Sequence, residues 1–410
     1  MPQFGESGDV LAHDDALKDD WTPDELPERE EELADIHYVL EPASRGYTPH
    51  NAFIYGPAGQ GKTVATQNKL TELQEFLGDS ADIDAELHTF FVNCADLTSS
   101  YQVAGALLKE ISPEWDERPR GHGLSNLFDW IFERMEEIGG TIVVVLDEID
   151  VIGDDDTILY KLSRAKANGD IEDVRLSVLG ISNDFDFHSN LSQRVKDTLC
   201  EEEIRFAPYN AGQLRAILTR RAEMAFHDGV LEDDVIPLCA AYAAQDNGSA
   251  RQAIRLLYKS GTEAQTAGDD VVTEEHVRDA REEIERNALL EGLKNLTVQE
   301  HSSLLSVAAL EAKGETPAPT KEIYSEYKSI TTAIDVDVTT MRSVRDHLQA
   351  LDLYSFLEGS KKTGGKRGGE RWMFELNIDL NVVLDVLSDN ARFEDVVDDI
   401  EGSAKRNGRL

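Results

Sequence analysis

Eight consecutive residues, Gly56-Pro57-Ala58-Gly59-Gln60-Gly61-Lys62-Thr63, carry the glycines, lysine and hydroxyl of a phosphate-binding loop, each at its required spacing. Glycines let the backbone turn tightly enough for its N–H groups to point at phosphate oxygens, with a helix N-terminus behind them. Lys62 would reach the β- and γ-phosphates, and the Thr63 hydroxyl would ligate Mg²⁺. The flanks agree: the apolar run Ala52–Tyr55 precedes the loop and a helix-compatible run, Val64–Leu70, follows it.

A second group of residues complements the loop. Thr141–Leu146 is continuously apolar and β-branched, the composition of a strand buried on both faces of a parallel sheet, and it ends in Asp147-Glu148-Ile149-Asp150. Open α/β sheets place their ligand chemistry at such strand ends. Asp147 would hold Mg²⁺, directly or through water, and Glu148 would orient and deprotonate an attacking water. Asp150 reads as a helix cap or a solvated residue. Together, the loop and the acidic strand end read as a site for ATP or ADP with Mg²⁺. Asn183, at the end of Arg175–Ile181, offers a donor and an acceptor to a γ-phosphate or a lytic water. Standing alone, it would read as a turn residue. Arg194 could neutralise phosphate charge, in cis or from a neighbouring subunit. Arg251 opens a helix from which it could reach back over the nucleotide, and Tyr209 and Arg221 complete the expected nucleotide contacts.

The elements that must position these groups alternate as strands and amphipathic segments up to about Phe206, which predicts a parallel sheet with covering helices. The expected strands are Ala52–Tyr55, His88–Asn93, Thr141–Leu146, Arg175–Ile181 and Glu202–Phe206. After Pro208 the pattern is helical to about Arg286, with breaks near Asp246-Asn247-Gly248 and Thr266–Asp270; a third region begins near Leu296. Residues 1–22 show no periodic apolar face and read as a disordered acidic tail.

Composition frames the partners. Asp and Glu number 80 against 40 Lys and Arg, a formal charge of −40. Such a balance ordinarily repels nucleic acid. Here the acids are spread through every segment, as in a protein of a very salty cytoplasm. At molar salt the Debye length is only about 3 Å, so the charge does not exclude DNA. Cys94, Cys200 and Cys239 show no metal or redox spacing and read as free thiols, and the histidines read as ordinary polar residues. No run of about 18 apolar residues exists, so a soluble, cytoplasmic protein with no membrane partner is expected.

Near the C-terminus, Met341, Val344, Leu348 and Leu351 form an apolar stripe at helical spacing, while Arg342, Arg345 and Gln349 share another face. Two strands, Tyr354–Leu357 and Trp372–Leu376, would follow. Between them lies an acid-free basic tract with Lys361, Lys362, Lys366 and Arg367. Helix, strand, basic tip and strand is the order of a winged helix, with long donors presented to a DNA groove and cations to phosphates.

The ordered set 56–63, Leu146–Asp150, Ile181–Asp184, Arg194–Lys196 and Gly248–Ile254 resembles an AAA+ ATPase, and more narrowly the archaeal replication initiators of the origin recognition complex / cell division control family. Arg29-Glu30, Arg45-Gly46, Asn93-Cys94 and Tyr101 fit the same family. The resemblance implies an α/β AAA+ P-loop core with a parallel sheet over residues 23–207, an all-helical lid over 208–292 and a C-terminal winged-helix domain over 293–410. It makes Asn183 the first sensor, Arg251 the second sensor and Arg194 a candidate arginine finger. It further implies nucleoid association and binding of double-stranded origin DNA, with contact near Tyr101. Slow ATP hydrolysis would switch assembly with other initiator subunits and loading of the replicative helicase. Two positions depart from the family pattern: Ser249 stands where Asp is usual, and the insertion Ala95–Gln102 is poor in arginine. The same plan would serve a winged-helix DNA-binding regulator that loads no helicase. A processive remodeller would instead need an aromatic pore loop.

Overall fold

A computed structural model of the 410-residue chain describes residues 10–19, 21–23, 25–79, 86–113, 121–199, 202–363 and 370–409. The chain divides into two compact units, Met1–Arg281 and Glu282–Leu410.

The first unit is built on five parallel strands, β1 Ala52–Tyr55, β2 Leu87–Asn93, β3 Thr141–Asp147, β4 Arg175–Ser182 and β5 Glu202–Arg205, in the order β2-β3-β4-β1-β5. Each expected strand is present to within one residue at either end. Parallel neighbours require crossovers, and helices supply them on both faces. One face is covered by α1 (Glu30–Leu40) and α2 (Lys62–Asp79), whose Ile36, Leu40 and Leu70 pack on Ile54, Val145 and Ile204. The other carries α3 (Ser100–Ile111), α4 (Leu124–Ile138), α5 (Thr157–Ser163), α6 (Ala165–Asn168), α7 (Phe187–Asn190) and α8 (Gln193–Leu199). Leu107, Ile131 and Val195 there meet Phe53 and Val144. The chain leaves β1 toward one face and β2 and β4 toward the other. Their C-terminal ends therefore frame the crevice in which open parallel sheets bind ligands.

Four helices follow: α9 Ala211–Ala225, α10 Val235–Asp246, α11 Ala250–Ala267 and α12 Glu274–Lys294. Asn210 starts α9 with a reciprocal capping box, its side chain accepting from Gln213 N–H while Gln213 reaches back. The breaks between α10, α11 and α12 fall where the sequence predicts them. α12, however, runs unbroken through Arg286 and the expected lid boundary at residue 292.

The tail expectation is corrected over its described part. Val10, Ala16 and Leu17 are buried, a 3₁₀ turn spans Asp14–Leu17, and Ala12 N–H donates to Ala225 O at 2.8 Å. This segment gains its order from α9 and α11 rather than from a periodicity of its own. Residues 1–9 lie outside the described residues.

The second unit contains α13 Val298–Lys313, β6 Ala318–Pro319, α14 Thr320–Ala333, α15 Met341–Leu353, β7 Leu357–Thr363, β8 Glu370–Leu376, α16 Leu380–Ser388 and α17 Glu394–Arg406. Its sheet is antiparallel, in the order β6-β8-β7. Three helices followed by a two-stranded wing on a short third strand make a winged helix. Two details differ from expectation. Tyr354 ends α15 as an exposed turn residue, so the first wing strand begins at Leu357. Met341 is 49% exposed at the first turn of α15, leaving Val344, Leu348 and Leu351 as the buried stripe.

Candidate nucleotide site and nucleic-acid interface

The loop between β1 and α2 has the left-handed backbone that only glycine takes cheaply, with φ of +78° at Gly59 and +88° at Gly61. At Gly59 space is equally decisive: a Cβ there would meet Ser249 Oγ at 2.0 Å. The loop holds Lys62 buried, its ammonium donating to Gly56 O (2.7 Å), Pro57 O (2.8 Å) and Asn183 Oδ1 (2.8 Å). Burial pulls the Lys62 pKa down to about 8, against the opposing pull of the Asp147, Asp150 and Glu148 carboxylates.

The two halves expected from sequence are joined directly. Thr63 Oγ1 donates to Asp147 Oδ2 at 2.7 Å, and Asn183 Nδ2 donates to Glu148 Oε1 at 3.1 Å. Asn183 thus touches both the phosphate-loop cation and the expected base. Asp150 is neither cap nor freely solvated: its Oδ1 accepts from Asn183 N–H at 3.0 Å and braces the end of β4 against that of β3. Glu148 sits at φ +56°, the left-handed region that costs a side-chain residue strain. The paired hydroxyl and carboxylate of Thr63 and Asp147 are hard oxygen donors suited to Mg²⁺. Among the described residues no group of three or more His, Cys, Asp and Glu side chains could form a closed cage.

A cavity of about 530 Å³ opens beside the loop, lined by Gly59, Gly61, Tyr209, Arg221 and Arg251 among others. Ser249 caps α11, its Oγ accepting from Gln252 N–H at 3.3 Å, and Ala250 N–H donates to Gly59 O at 3.1 Å. The helix that carries Arg251 is therefore bonded to the phosphate loop itself. Arg221 lies 3.7 Å from the Trp21 ring centroid, and burial lowers its pKa to about 10. Arg194 is placed elsewhere. It is exposed on α8, 4.8 Å from the Tyr160 ring centroid, and is not among the residues lining the cavity.

Arg29 has a larger part than its place in an acidic stretch suggests. Its buried guanidinium donates to Gln60 O (3.2 Å), Gln60 Oε1 (3.1 Å) and Ala207 O (2.6 Å), and stacks 3.7 Å from the Tyr209 ring centroid. It joins the phosphate loop to the segment entering α9. Trp21 and Leu26 also line the cavity. No periodicity marks them in the sequence.

In the second unit, Arg342, Arg345 and Gln349 stand exposed on α15 while Val344, Leu348 and Leu351 are buried beneath. Asp352, near the end of that helix, accepts from Gly359 N–H at 2.8 Å and so fixes the wing strand to it. Lys361 and Lys362 lie on β7 rather than at the wing tip, opposite Trp372 and Arg371. Lys361 Nζ is 5.0 Å from the Trp372 ring centroid, and exposed Arg371 adds a cation that the sequence reading passed over. Lys366 and Arg367 lie outside the described residues. Tyr101, the expected core contact to DNA, is half-buried against the hydrophobic core. Cys94 and Cys239 are buried free thiols, and Cys200 lies outside the described residues.

Comparison with known proteins bears on both regions. Family descriptions match in chain order: an AAA domain over residues 45–181, a Cdc6 AAA+ ATPase-type lid domain over 215–282, and a CDC6 C-terminal winged helix domain over 291–386. ORC1-type DNA replication protein 15 of Haloarcula marismortui is 38% identical across 99% of this chain and 99% of its own length. ORC1-type DNA replication protein 10 of Halobacterium salinarum is 38% identical across 100% of this chain and 99% of its own. Among solved structures, that of the Aeropyrum pernix ORC1 protein in complex with DNA is 34% identical. It covers 94% of this chain and 99% of its own, with a TM-score of 0.80.

Proposed function

The chain belongs to the ORC1-type DNA replication protein family of AAA+ ATPases, and we propose that it binds duplex origin DNA and uses Mg-ATP to switch between assembly states. The observation that carries the switch is the hydrogen bond from Ala250 to Gly59. It makes the start of the lid helix part of the phosphate loop, with Arg251 next along the chain at the cavity wall. A γ-phosphate near Lys62 would attract Arg251 and favour one lid position over another, which is the differential contact a switch requires.

Within the site, Thr63 and Asp147 would hold Mg²⁺, which supplies charge neutralisation at the phosphate oxygens. Lys62 contributes a cation held by loop carbonyls. Glu148 accepts the proton of the attacking water, and Asn183 restrains the Glu148 carboxylate from the side of Lys62. Turnover by these groups would be slow, because completion of the site depends on lid position and on an arginine from a neighbour. Arg194 is suited to that role in trans, being exposed and outside its own cavity. Assembly with other initiator subunits and loading of the replicative helicase would follow from such a contact.

The DNA half rests on the exposed donors of α15 and the cations of the wing, supported by the DNA complex of the Aeropyrum relative. Binding of origin-derived and random duplex, compared at matched molar salt, tests it. Each base-edge contact is worth about 1–3 kcal/mol. Replacing Arg342 and Arg345 together by alanine should therefore abolish the preference for origin duplex while leaving weak general binding. Lys62→Ala should lose nucleotide but keep DNA affinity at high salt. Equal affinity of the unaltered protein for both duplexes would refute sequence-specific recognition.

A further inference from the structure

The segment Val10–Lys18, with Trp21 and Pro23 beyond it, runs between two parts of the nucleotide site that must separate for exchange. On the lid it is held at three places. An isolated antiparallel bridge joins Leu11 to Phe226, with Ala12 N–H donating to Ala225 O (2.8 Å) and His227 N–H to Val10 O (3.2 Å). Arg221 Nη1 donates to Ala16 O at 2.7 Å, and Tyr258 Oη to Asp14 Oδ2 at 3.2 Å. Val10, Ala16 and Leu17 are buried against the same helices. On the core side, Pro23 O accepts from Asn68 Nδ2 of α2 at 2.9 Å. Between these anchorages, Lys18, Trp21, Pro23 and Leu26 form one wall of the cavity beside Gly61.

The geometry points to an N-terminal strap that sets the rate of nucleotide release, a regulation of the site that rests on the nucleotide-binding reading above. Without the strap, the covalent link between core and lid would be the 206–210 segment, and once the Ala250–Gly59 and Tyr209–Gln60 hydrogen bonds part the lid could swing open about it. The strap adds a second connection, along the part of the cavity wall formed by Lys18, Trp21 and Pro23. Any lid movement wide enough to free a nucleotide must then break the Pro23 contact, peel the strap from α9 and α11, or displace Trp21 from Arg221. Each costs buried apolar contact or a hydrogen bond with no immediate replacement. Entry and exit share this barrier. Occupancy at equilibrium changes less than the dissociation rate, and a bound nucleotide persists until the strap lets go. Trp21 is here a positioning residue: its ring holds Arg221 at the wall rather than reacting.

The test measures dissociation of tritium-labelled ADP, chased with unlabelled ADP, from the full chain at molar KCl. Leu17→Asp and Trp21→Ala should each speed release by about tenfold or more, since tenfold corresponds to loss of a single modest contact. The reciprocal variant carries Leu11→Cys with Phe226→Cys, at a bridge whose spacing suits a disulfide. Oxidised, it should release ADP at least about tenfold more slowly than the same protein reduced, and the reduced form controls for any packing defect. Release rates within twofold of the unaltered protein in all three would overturn the strap. If the unaltered protein bound no ADP in a Lys62-dependent way, the nucleotide-site reading would fall, and the strap with it.

Discussion

Lys62 is a cation buried among carbonyls, and that placement has a consequence in pH. Its pKa is drawn down to about 8 by burial, so the empty site begins to lose the proton just above neutrality. Phosphate oxygens demand the charged form, so the bound state holds the proton to higher pH. Above pH 8 the complex therefore carries more protons than the free protein, and ATP affinity must fall as pH rises, by up to about tenfold per pH unit. Lys62→Arg, whose guanidinium stays charged, should bind with a flat profile through the same window. Titrating affinity from pH 7 to 9.5 checks this, and a flat profile for the unaltered protein would contradict it. Residues such as Lys62, Thr63, Asp147 and Asn183 were legible because each occupies a fixed offset in a motif or ends an apolar strand. Arg29 was marked by the family pattern but its role was not legible, because Glu28 to Glu32 looks like a solvated helix entry and nothing local shows that one guanidinium turns inward onto Gln60.

Among elements, α13 carries a second titration. His301 is buried on it, with Nε2 against Leu293 O at 2.7 Å and the ring edge-on to Phe393. Burial lowers its pKa from the ordinary 6.5, more than the Leu293 carbonyl and Glu300 raise it. The unfolded chain thus takes up a proton that the folded unit resists. Stability is full above pH 6.5 and is lost as pH falls below that value. His301→Gln can keep the donor to Leu293 without titrating, so its thermal midpoint should drop less than that of the unaltered protein between pH 7 and pH 5.5. Equal drops in calorimetry would assign the acid sensitivity elsewhere. The burial of His301 departs from the reading of the histidines as ordinary polar residues, since a buried histidine announces itself only through its packing. Strands show the same contrast. β1 and β3 were readable because central parallel strands are almost continuously apolar. β7 was not, because Leu-Glu-Gly-Ser-Lys-Lys-Thr holds neither an apolar run nor an alternation. The stretch Val10–Leu17 was hidden for a related reason: its few apolar contacts and its backbone partners all belong to the lid.

At the scale of the whole molecule, the formal charge of −40 has to coexist with the proposed DNA-binding face. A protein that meets DNA only with cations releases counterions, and its affinity falls steeply with salt, with a slope near −0.9 per neutralised phosphate. Among the described residues the cations of the proposed interface are few: Arg342, Arg345, Lys361, Lys362 and Arg371 are exposed, and Arg345 lies 3.9 Å from Asp346. Around them stands an acidic surface that must be kept from the duplex by cations taken up from solution. Uptake at the acids opposes release at the phosphates, so the net slope should be shallow. At molar salt, where screening acts over about 3 Å, only groups in contact still contribute. Affinity for origin duplex should therefore hold nearly level between about 1 and 3 M KCl, set by hydrogen bonds and packing at α15. Removing exposed acids should restore the missing steepness: Asp346→Asn and Glu358→Gln on this unit would strengthen binding at low salt and make it decline faster as salt rises. Binding isotherms across that range decide the matter. If the unaltered chain loses affinity as steeply as a purely cationic interface of the same contacts, its acidic surface takes no part in recognition.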